Sequence, residues 1–425
     1  MNNKQLSLSR IVIPGLLGNV LEWYDFALYG YYAATISPLF FPAQNKTVSL
    51  IAAFVVFAIG YIMRPLGAIV FGHLGDRIGR KNALSMAILL MAIPTTIIGL
   101  LPEYDTIGIW ATWGLIACRL LQGLAVGGEF TGAMVYILEH AQNKHQGFYS
   151  ALAMSSAFLG LLLGSLACSI TSLFSISWLW RVPFVFSLLL GFLGLYLRLR
   201  MPETPAFTQL IQTHTTKHAP VKTLFKHHWR DVIRGVGFVM LPTASFYMCF
   251  LYLPTYLHHF YQIPHALVQW SNNAGLIALI LLTPVFGLLV DRFGKVNLQV
   301  LGLACFISLS LPLFIALTNH STWSILCVSL VFSLMVAIVF AGIPALLYDL
   351  FPAPIRYSGL SFPYNLATAL FGGSTPAINT ALINHWGDMY IPAYYLIALS
   401  VFSLLFFIKP PLKKALIESK VEIKS

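Results

Sequence analysis

Glu22 and Asp25 stand three residues apart inside a segment, roughly Ile11 to Phe41, that is otherwise almost wholly apolar. On a helix this spacing puts both carboxyl groups on one face, and Tyr29, seven residues after Glu22, continues the stripe. A carboxylate at bilayer depth is costly unless it meets a wet cavity, a cation or a proton. Two kinds of chemistry are therefore open to the pair: a fixed ion pair with a base elsewhere in a bundle, or uptake and release of a proton as a cycle turns. Arg119 is the natural base. It lies ~16 Å along a second apolar stretch counted from Gly108 at 1.5 Å per residue. Glu22 is ~16 Å from the opposite start of its own stretch by the same rule. A hydrocarbon core is about 30 Å thick, so both reach its middle. Glu129 falls nearer the inner end of the stretch that carries Arg119, where a gate or a structural contact competes with proton coupling. Arg64, before Pro65, is a third embedded base, suited to helix-end carbonyls or to a substrate.

The elements that must position these groups follow from composition. Hydrophobic residues make up 58% of the 425-residue chain and charged residues 9%, against roughly a quarter charged in soluble domains. Twelve apolar spans are expected, centred roughly at residues 25, 60, 92, 122, 160, 188, 245, 278, 307, 335, 369 and 399, each long enough to cross a bilayer. The longest polar gap, about Arg198 to Arg234, divides them six and six. The expected organisation is a six-helix bundle over 1–200, a cytoplasmic linker over 201–230, and a second bundle with a short tail over 231–425.

Charge placement explains the formal net charge of +11. Alternating the loops puts every Lys and Arg except Lys46, Arg64, Arg119 and Arg181 on one side, which by the positive-inside rule makes both termini cytoplasmic. The basic balance is thus topology, and nucleic-acid binding is not expected. Arg181, among Trp178 and Trp180, reads as an anchor at the outer interface. The five cysteines all fall in apolar segments without metal-ligand spacing, so neither a disulfide framework nor a metal site is expected. No signal-peptide pattern precedes the first span. No phosphate-cradling loop, nucleophile elbow or zinc motif appears, which argues against ATP-driven transport and against an enzyme. Pro410 and Pro411 interrupt any helix leaving the last span, and the rest of the tail is too short for a coiled coil.

The halves repeat. Gly72-His-Leu-Gly75-Asp76-Arg77-Ile-Gly79-Arg80-Lys81 follows the second span, and Gly287-Leu-Leu-Val-Asp291-Arg292-Phe-Gly294-Lys295 follows the eighth, at an offset of 215 residues. The glycines permit a tight turn, and an aspartate there can face a neighbouring helix N-terminus. Parallel repeats of this kind mark carriers whose substrate binds where two halves meet.

On these residues the chain resembles the major facilitator superfamily, whose signature loop matches Gly72–Lys81. Within it the chain is similar to the metabolite:proton symporters, through Glu22-Trp23-Tyr24-Asp25-Phe26, Arg64-Pro65-Leu66-Gly67, Gln122-Gly123 with Gly127-Gly128-Glu129, and Glu203-Thr204-Pro205 with Phe207. Local similarity at Tyr104–Trp110, Gly128–Ala133, Pro354–Ser358 and Ile391–Tyr395 points to the proline/betaine transporter branch. The resemblance implies an all-α integral membrane fold of twelve transmembrane helices in two six-helix halves related by a pseudo-twofold. It implies a secondary carrier, a monomer in a bacterial-type inner membrane, that moves a small metabolite with protons by alternating access and needs no cofactor beyond the coupling proton.

Site expectations follow. Glu22, Asp25, Arg119 and Glu129 are the proton-coupling candidates. An exchange of partners would serve: an acid protonated outward-facing gives up its proton when Arg119 approaches it inward-facing. The alternative is a static buried pair. Trp23, Phe26, Tyr29, Arg119, Gln122, Tyr247 and Asn365 are the substrate-binding candidates. Rings near a carboxylate suit an ammonium group, and Arg119 suits a substrate carboxylate. Gly72, Gly75, Asp76, Arg77, Gly79, Arg80, Asp291, Arg292 and Arg356 are the expected cytoplasmic gate, with Asp76 helping to latch that side near the start of span eleven. The absence of proline beside Gly160 and Gly164 in span five favours symport over drug export. A dicarboxylate or other organic acid is the alternative cargo, and a non-transporting nutrient sensor the alternative from another class.

Overall fold

The computed structural model describes residues 8–43, 46–141, 145–174, 176–213 and 220–407. The tail, with Pro410 and Pro411, lies outside the described residues, as do Lys144 and Lys217 among the loop charges. Every regular element among the described residues is helical.

Among the described residues ten stretches are long and apolar enough to cross a membrane: Ile51–Arg77, Arg80–Leu100, Ile109–His140, Gln146–Ser172, Arg181–Leu199, Trp229–Tyr261, Ala266–Phe293, Lys295–Leu317, Thr322–Leu350 and Ala353–Trp386. The 24-residue helix Leu8–Tyr31 precedes them and the shorter apolar helix Ile391–Leu404 follows. These are the twelve spans, numbered below from one to twelve in chain order, and the fold is that of an all-α, multi-pass membrane protein. A span of about 20 residues closes all its backbone hydrogen bonds internally, which is why a chain this apolar resolves into helices. The first apolar segment, about Ile11 to Phe41, is not one continuous helix. It breaks at Tyr32, and a separate short helix, Ala33–Phe40, completes it.

The described chain groups into two compact units, one of residues 1–140 and 156–221, the other of 141–155 and 222–425. In the first, span two packs on span four, and span three on spans four and six. In the second, span eight packs on ten, and span nine on ten and twelve. Shifted by six spans, the two schemes are the same.

Spans two and four approach backbone to backbone. A Cβ on Gly123 would overlap the Gly60 carbonyl oxygen, and one on Gly127 the Arg64 carbonyl oxygen. Without a hydrophobic drive between helices in lipid, such small-residue contacts supply the packing. The repeated loops turn alike: Gly79 has φ +106 and Gly294 has φ +90, a region that residues with a Cβ rarely enter.

In the second unit, spans seven and eleven each contain one π-helical turn, Tyr247–Tyr252 and Thr368–Gly372. Such bulges re-aim the residues beyond them and cluster at functional sites.

Candidate functional site

The first unit gathers an unusual number of buried charges. Glu22, Asp25, Arg64, Arg119, Glu129 and Arg198 are all at most 3% exposed, where charged side chains are costly and tend to be functional. They fall into two groups.

The first group is built around Arg119. Its guanidinium carbon sits over three rings, 4.7 Å from Phe26, 4.5 Å from Tyr29 and 5.1 Å from Phe57. Arg119 Nη1 donates to Gln122 Oε1 at 2.8 Å, and Gln122 Nε2 donates to Thr95 Oγ1 at 2.7 Å. Thr95 in turn neighbours Asp25, which accepts a 2.6 Å hydrogen bond from Ser187 Oγ of span six. Asp25 is therefore connected to Arg119 through Gln122 and Thr95. No acid lies within ion-pair distance of Arg119 among the described residues, and its Nε and Nη2 are buried without partners. The cation is held by ring faces and one amide, which leaves two donors free for an anionic group.

The second group lies nearer the end of the first unit that carries the Asp76–Arg80 turn. Glu129 of span four is ion-paired with Arg198 of span six. Glu22 is buried beside them, with Glu129, Arg64 and Arg198 as the charges acting on it. Arg64 lies over the rings of Trp23, at 5.6 Å, and Tyr61, at 5.7 Å. Trp23 also meets Phe130 edge-on at 5.3 Å.

The first unit thus brings Trp23, Phe26, Tyr29, Arg119 and Gln122 together with the candidate acids. Tyr29 stacks on Phe57 and donates its hydroxyl to the Ala53 carbonyl at 3.0 Å. Tyr247 and Asn365 belong to the second unit. Tyr247 packs on Gly372, whose added Cβ would stand 2.8 Å from the ring. Asn365 is buried and donates to the Ser361 carbonyl at 2.9 Å.

At the turn between spans two and three, the loop residue Arg80 is the hub. It donates to both oxygens of Glu139, at 3.2 Å each, and to the Gly75 carbonyl at 2.7 Å, and pairs with Asp76 at 3.4 Å. Its guanidinium also lies 5.1 Å from the Phe207 ring centroid. Glu203 accepts from the backbone N–H groups of Arg80, Lys81 and Thr204 at 3.1, 3.3 and 2.9 Å, so it caps span three from a distant loop. Burial pushes the Glu203 carboxyl above its usual range, against the pull of those donors and of Arg80. Gly79 is the point of closest approach, since a Cβ there would overlap Glu203. Gly72 is buried and Arg77 exposed.

In the second unit the matching Asp291 accepts from the N–H groups of Gly147 and Phe148, at 2.7 and 3.0 Å. It thereby caps the N-terminus of span five, where the helix dipole favours a carboxylate. Arg292 is exposed. Arg356 donates to the Phe351 carbonyl at 3.2 Å and the Tyr348 hydroxyl at 3.1 Å, and sits 4.1 Å over that ring.

Sequence reasoning passed over several of these groups. Arg198 reads as one of the loop cations, yet it is buried in an ion pair. Glu139 reads as a helix-end acid and Glu203 as part of a motif, and both prove to be partners of the Arg80 turn. Ser187 and Thr95 carry no distinctive signal. Among the described residues no group of acids, histidines and cysteines has the arrangement of a metal site.

Apolar spans with internal charges, in two units of repeated packing, define a polytopic membrane carrier rather than an enzyme. The chain belongs to the Major Facilitator Superfamily, whose family model matches residues 17–362 and 256–424. It is 34% identical over 420 residues to the proline/betaine transporter of Salmonella typhimurium, covering 94% of this chain and 82% of that protein. The same identity and coverage hold for the glycine betaine/proline/ectoine/pipecolic acid transporter OusA of Dickeya dadantii. Among solved structures, the proton:xylose symporter XylE bound to 6-bromo-6-deoxy-D-glucose matches with a TM-score of 0.75 at 18% identity, over 94% of each chain. That likeness speaks to the fold alone.

Proposed function

We propose that the protein is a proton-coupled symporter that takes up a small zwitterion of the proline or glycine betaine type by alternating access. The observation that carries this reading is Arg119: a fully buried cation with two idle N–H donors, ringed by Phe26, Tyr29 and Phe57 and linked through Gln122 and Thr95 to Asp25. A substrate carboxylate would engage the guanidinium. The neighbouring rings would face a quaternary or secondary ammonium, with Trp23 close by; Tyr247 and Asn365 remain substrate-binding candidates of the second unit. Asp25 and Glu22 are the carriers of the coupled proton. The relatives named above transport such compounds, which agrees with this cargo.

The working form is a monomer in a bacterial-type inner membrane, with both termini cytoplasmic. Residues 1–200 and 231–425 act as the two moving bundles, joined by 201–230. The Asp76–Arg80 turn and its counterpart at Asp291–Arg292, with Arg356, form the cytoplasmic gate. A dicarboxylate is the second reading, favoured by the two buried bases Arg64 and Arg119 in one unit. Counterflow in proteoliposomes separates the two. Unlabelled proline or glycine betaine should drive labelled exchange while succinate does not; exchange with succinate alone would overturn the zwitterion.

A further inference from the structure

Arg198 enters the first unit from the inner end of span six and is wholly buried. Its Nη2 binds Glu129 Oε1, while Nε and Nη1 have no partner, and neither has Glu129 Oε2. The guanidinium lies against span one where the side chain of residue 18 would be. A Cβ on Gly18 would overlap Nη2 and stand 2.9 Å from Glu129 Oε1. Gly18 and Glu22 are four residues apart, so they lie one above the other on the same helix face. A guanidinium with two idle donors therefore sits one turn from a carboxyl group whose two oxygens accept no hydrogen bond of normal geometry.

Of the surrounding charges, Arg64 and Arg198 attract an ionised Glu22 and Glu129 repels it, yet among the described residues neither base is within ion-pair distance of it. Glu129 of span four, and Arg64 and Arg198 of spans two and six, are the charged side chains acting on it. Arg64 is turned toward the rings of Trp23 and Tyr61. Asp25, on the same span, is held by Ser187. Tyr136 of span four faces Arg198 and gives its hydroxyl to the Pro202 carbonyl at 2.8 Å. In a dry interior an ionised carboxylate with no donor nearer than the Phe130 N–H is the expensive state, and a second carboxylate nearby makes it more so.

We propose that Glu22, Glu129 and Arg198 form one proton-holding unit, in which Arg198 is the counter-ion of one carboxylate while the other carboxyl keeps the proton. The exchange balances. Protonated Glu22 beside the Glu129–Arg198 ion pair becomes a Glu22–Arg198 ion pair beside protonated Glu129. One O–H bond breaks on Glu22 and one forms on Glu129, and the net charge of the three groups is unchanged. Arg198 takes no proton itself. It is a positioning residue that decides which carboxyl holds one. Its use in transport rests on the symport reading above, but its existence does not.

Infrared difference spectroscopy of the full chain in lipid vesicles tests this with no transported solute present, because it reads the C=O stretch of protonated carboxyl groups. Asp25→Asn serves as the parent, removing the other embedded acid of span one. At neutral pH the parent should show one buried protonated carboxyl. Glu22→Gln should abolish the band, since Glu129 then has Arg198 to itself. Glu129→Gln should abolish it equally, because the freed Arg198 turns to Glu22 and ionises it. Glu129→Leu, which fills the site with an apolar side chain, is the second variant with the same expected loss. Glu129→Gln combined with Arg198→Gln should restore the band, since Glu22 again lacks its counter-ion. A fixed Glu129–Arg198 pair with an independent Glu22 would leave the band intact in both single Glu129 variants, and that result overturns the proposal. A parent without the band overturns it too. If the band behaves as expected and transport of zwitterions fails, only the functional reading falls.

Discussion

Glu139→Ala is the sharpest structural perturbation available at the Asp76–Arg80 turn. It deletes a carboxylate that takes two hydrogen bonds from Arg80, at 3.2 Å each, with both side chains fully buried. Removing one partner of such a pair costs about 3–5 kcal/mol, because the remaining charge stays desolvated and uncompensated. Arg80 would keep Asp76 at 3.4 Å and the Gly75 carbonyl at 2.7 Å, which places the loss near the lower end, about 3 kcal/mol. The internal control is Glu103→Ala in the loop between spans three and four. Its partner Arg181 is as close, at 3.0 Å, but the glutamate side chain is 37% exposed, so that pair contributes about 0–1 kcal/mol. Reversible unfolding in mixed micelles of lipid detergent and sodium dodecyl sulfate measures both variants against the parent. Equal losses in the two, or a Glu139→Ala loss within about 0.5 kcal/mol of zero, the usual surface range, would refute the assignment of Arg80 as a buried hub.

Three further outcomes follow from the same structure. Because burial raises the Glu203 carboxyl, the native state binds this proton more readily than the unfolded chain. Its contribution is fullest below the ordinary carboxylate range and is lost as pH rises through the raised native value. Stability against pH should therefore lose that downward slope in Glu203→Gln; an unchanged slope contradicts the account. Gly127→Ala puts a Cβ onto the Arg64 carbonyl oxygen and 2.7 Å from the Ala68 nitrogen, backbone atoms that cannot step aside. It should cost about 1–3 kcal/mol in the same unfolding assay, and a neutral result would mean that spans two and four are not so close. Arg119→Lys keeps the charge but loses the planar fork and its fit to three rings. Its KM for zwitterion counterflow should rise about tenfold or more, for a loss of about 1.5–3 kcal/mol per charged hydrogen bond, with expression and monodispersity retained.

Much of the scaffold is legible in the chain because the signals are local. Hydropathy alone marks the spans, since each must satisfy its own backbone within lipid. The two loop repeats are legible because Gly79 and Gly294 mark the same positive-φ turn in each half. The break at Tyr32 and the π-helical turns at Tyr247–Tyr252 and Thr368–Gly372 are not, because apolar composition runs through all three unchanged. Glu22, Asp25 and Arg119 stand out as charges among apolar neighbours, and the structure puts them in one unit. Their partners are harder to read. Arg198 lies 69 residues from Glu129, at a helix end beside Arg200, where a basic residue ordinarily reports topology. The trace of its inward turn is the glycine at position 18, which acquires meaning only once spans one, four and six are assembled. Ser187 and Thr95 are likewise ordinary until the bundle brings them to Asp25.

The measurement that tests the central claim most directly is proton uptake on adding substrate to proteoliposomes, read by an internal pH dye, for the parent and for Asp25→Asn. Proline or glycine betaine should acidify the lumen of vesicles bearing the parent, and Asp25→Asn should abolish that signal while counterflow exchange persists. Zwitterion entry with no proton movement, or an undiminished proton signal in Asp25→Asn, would contradict proton-coupled symport through the buried acids of the first span.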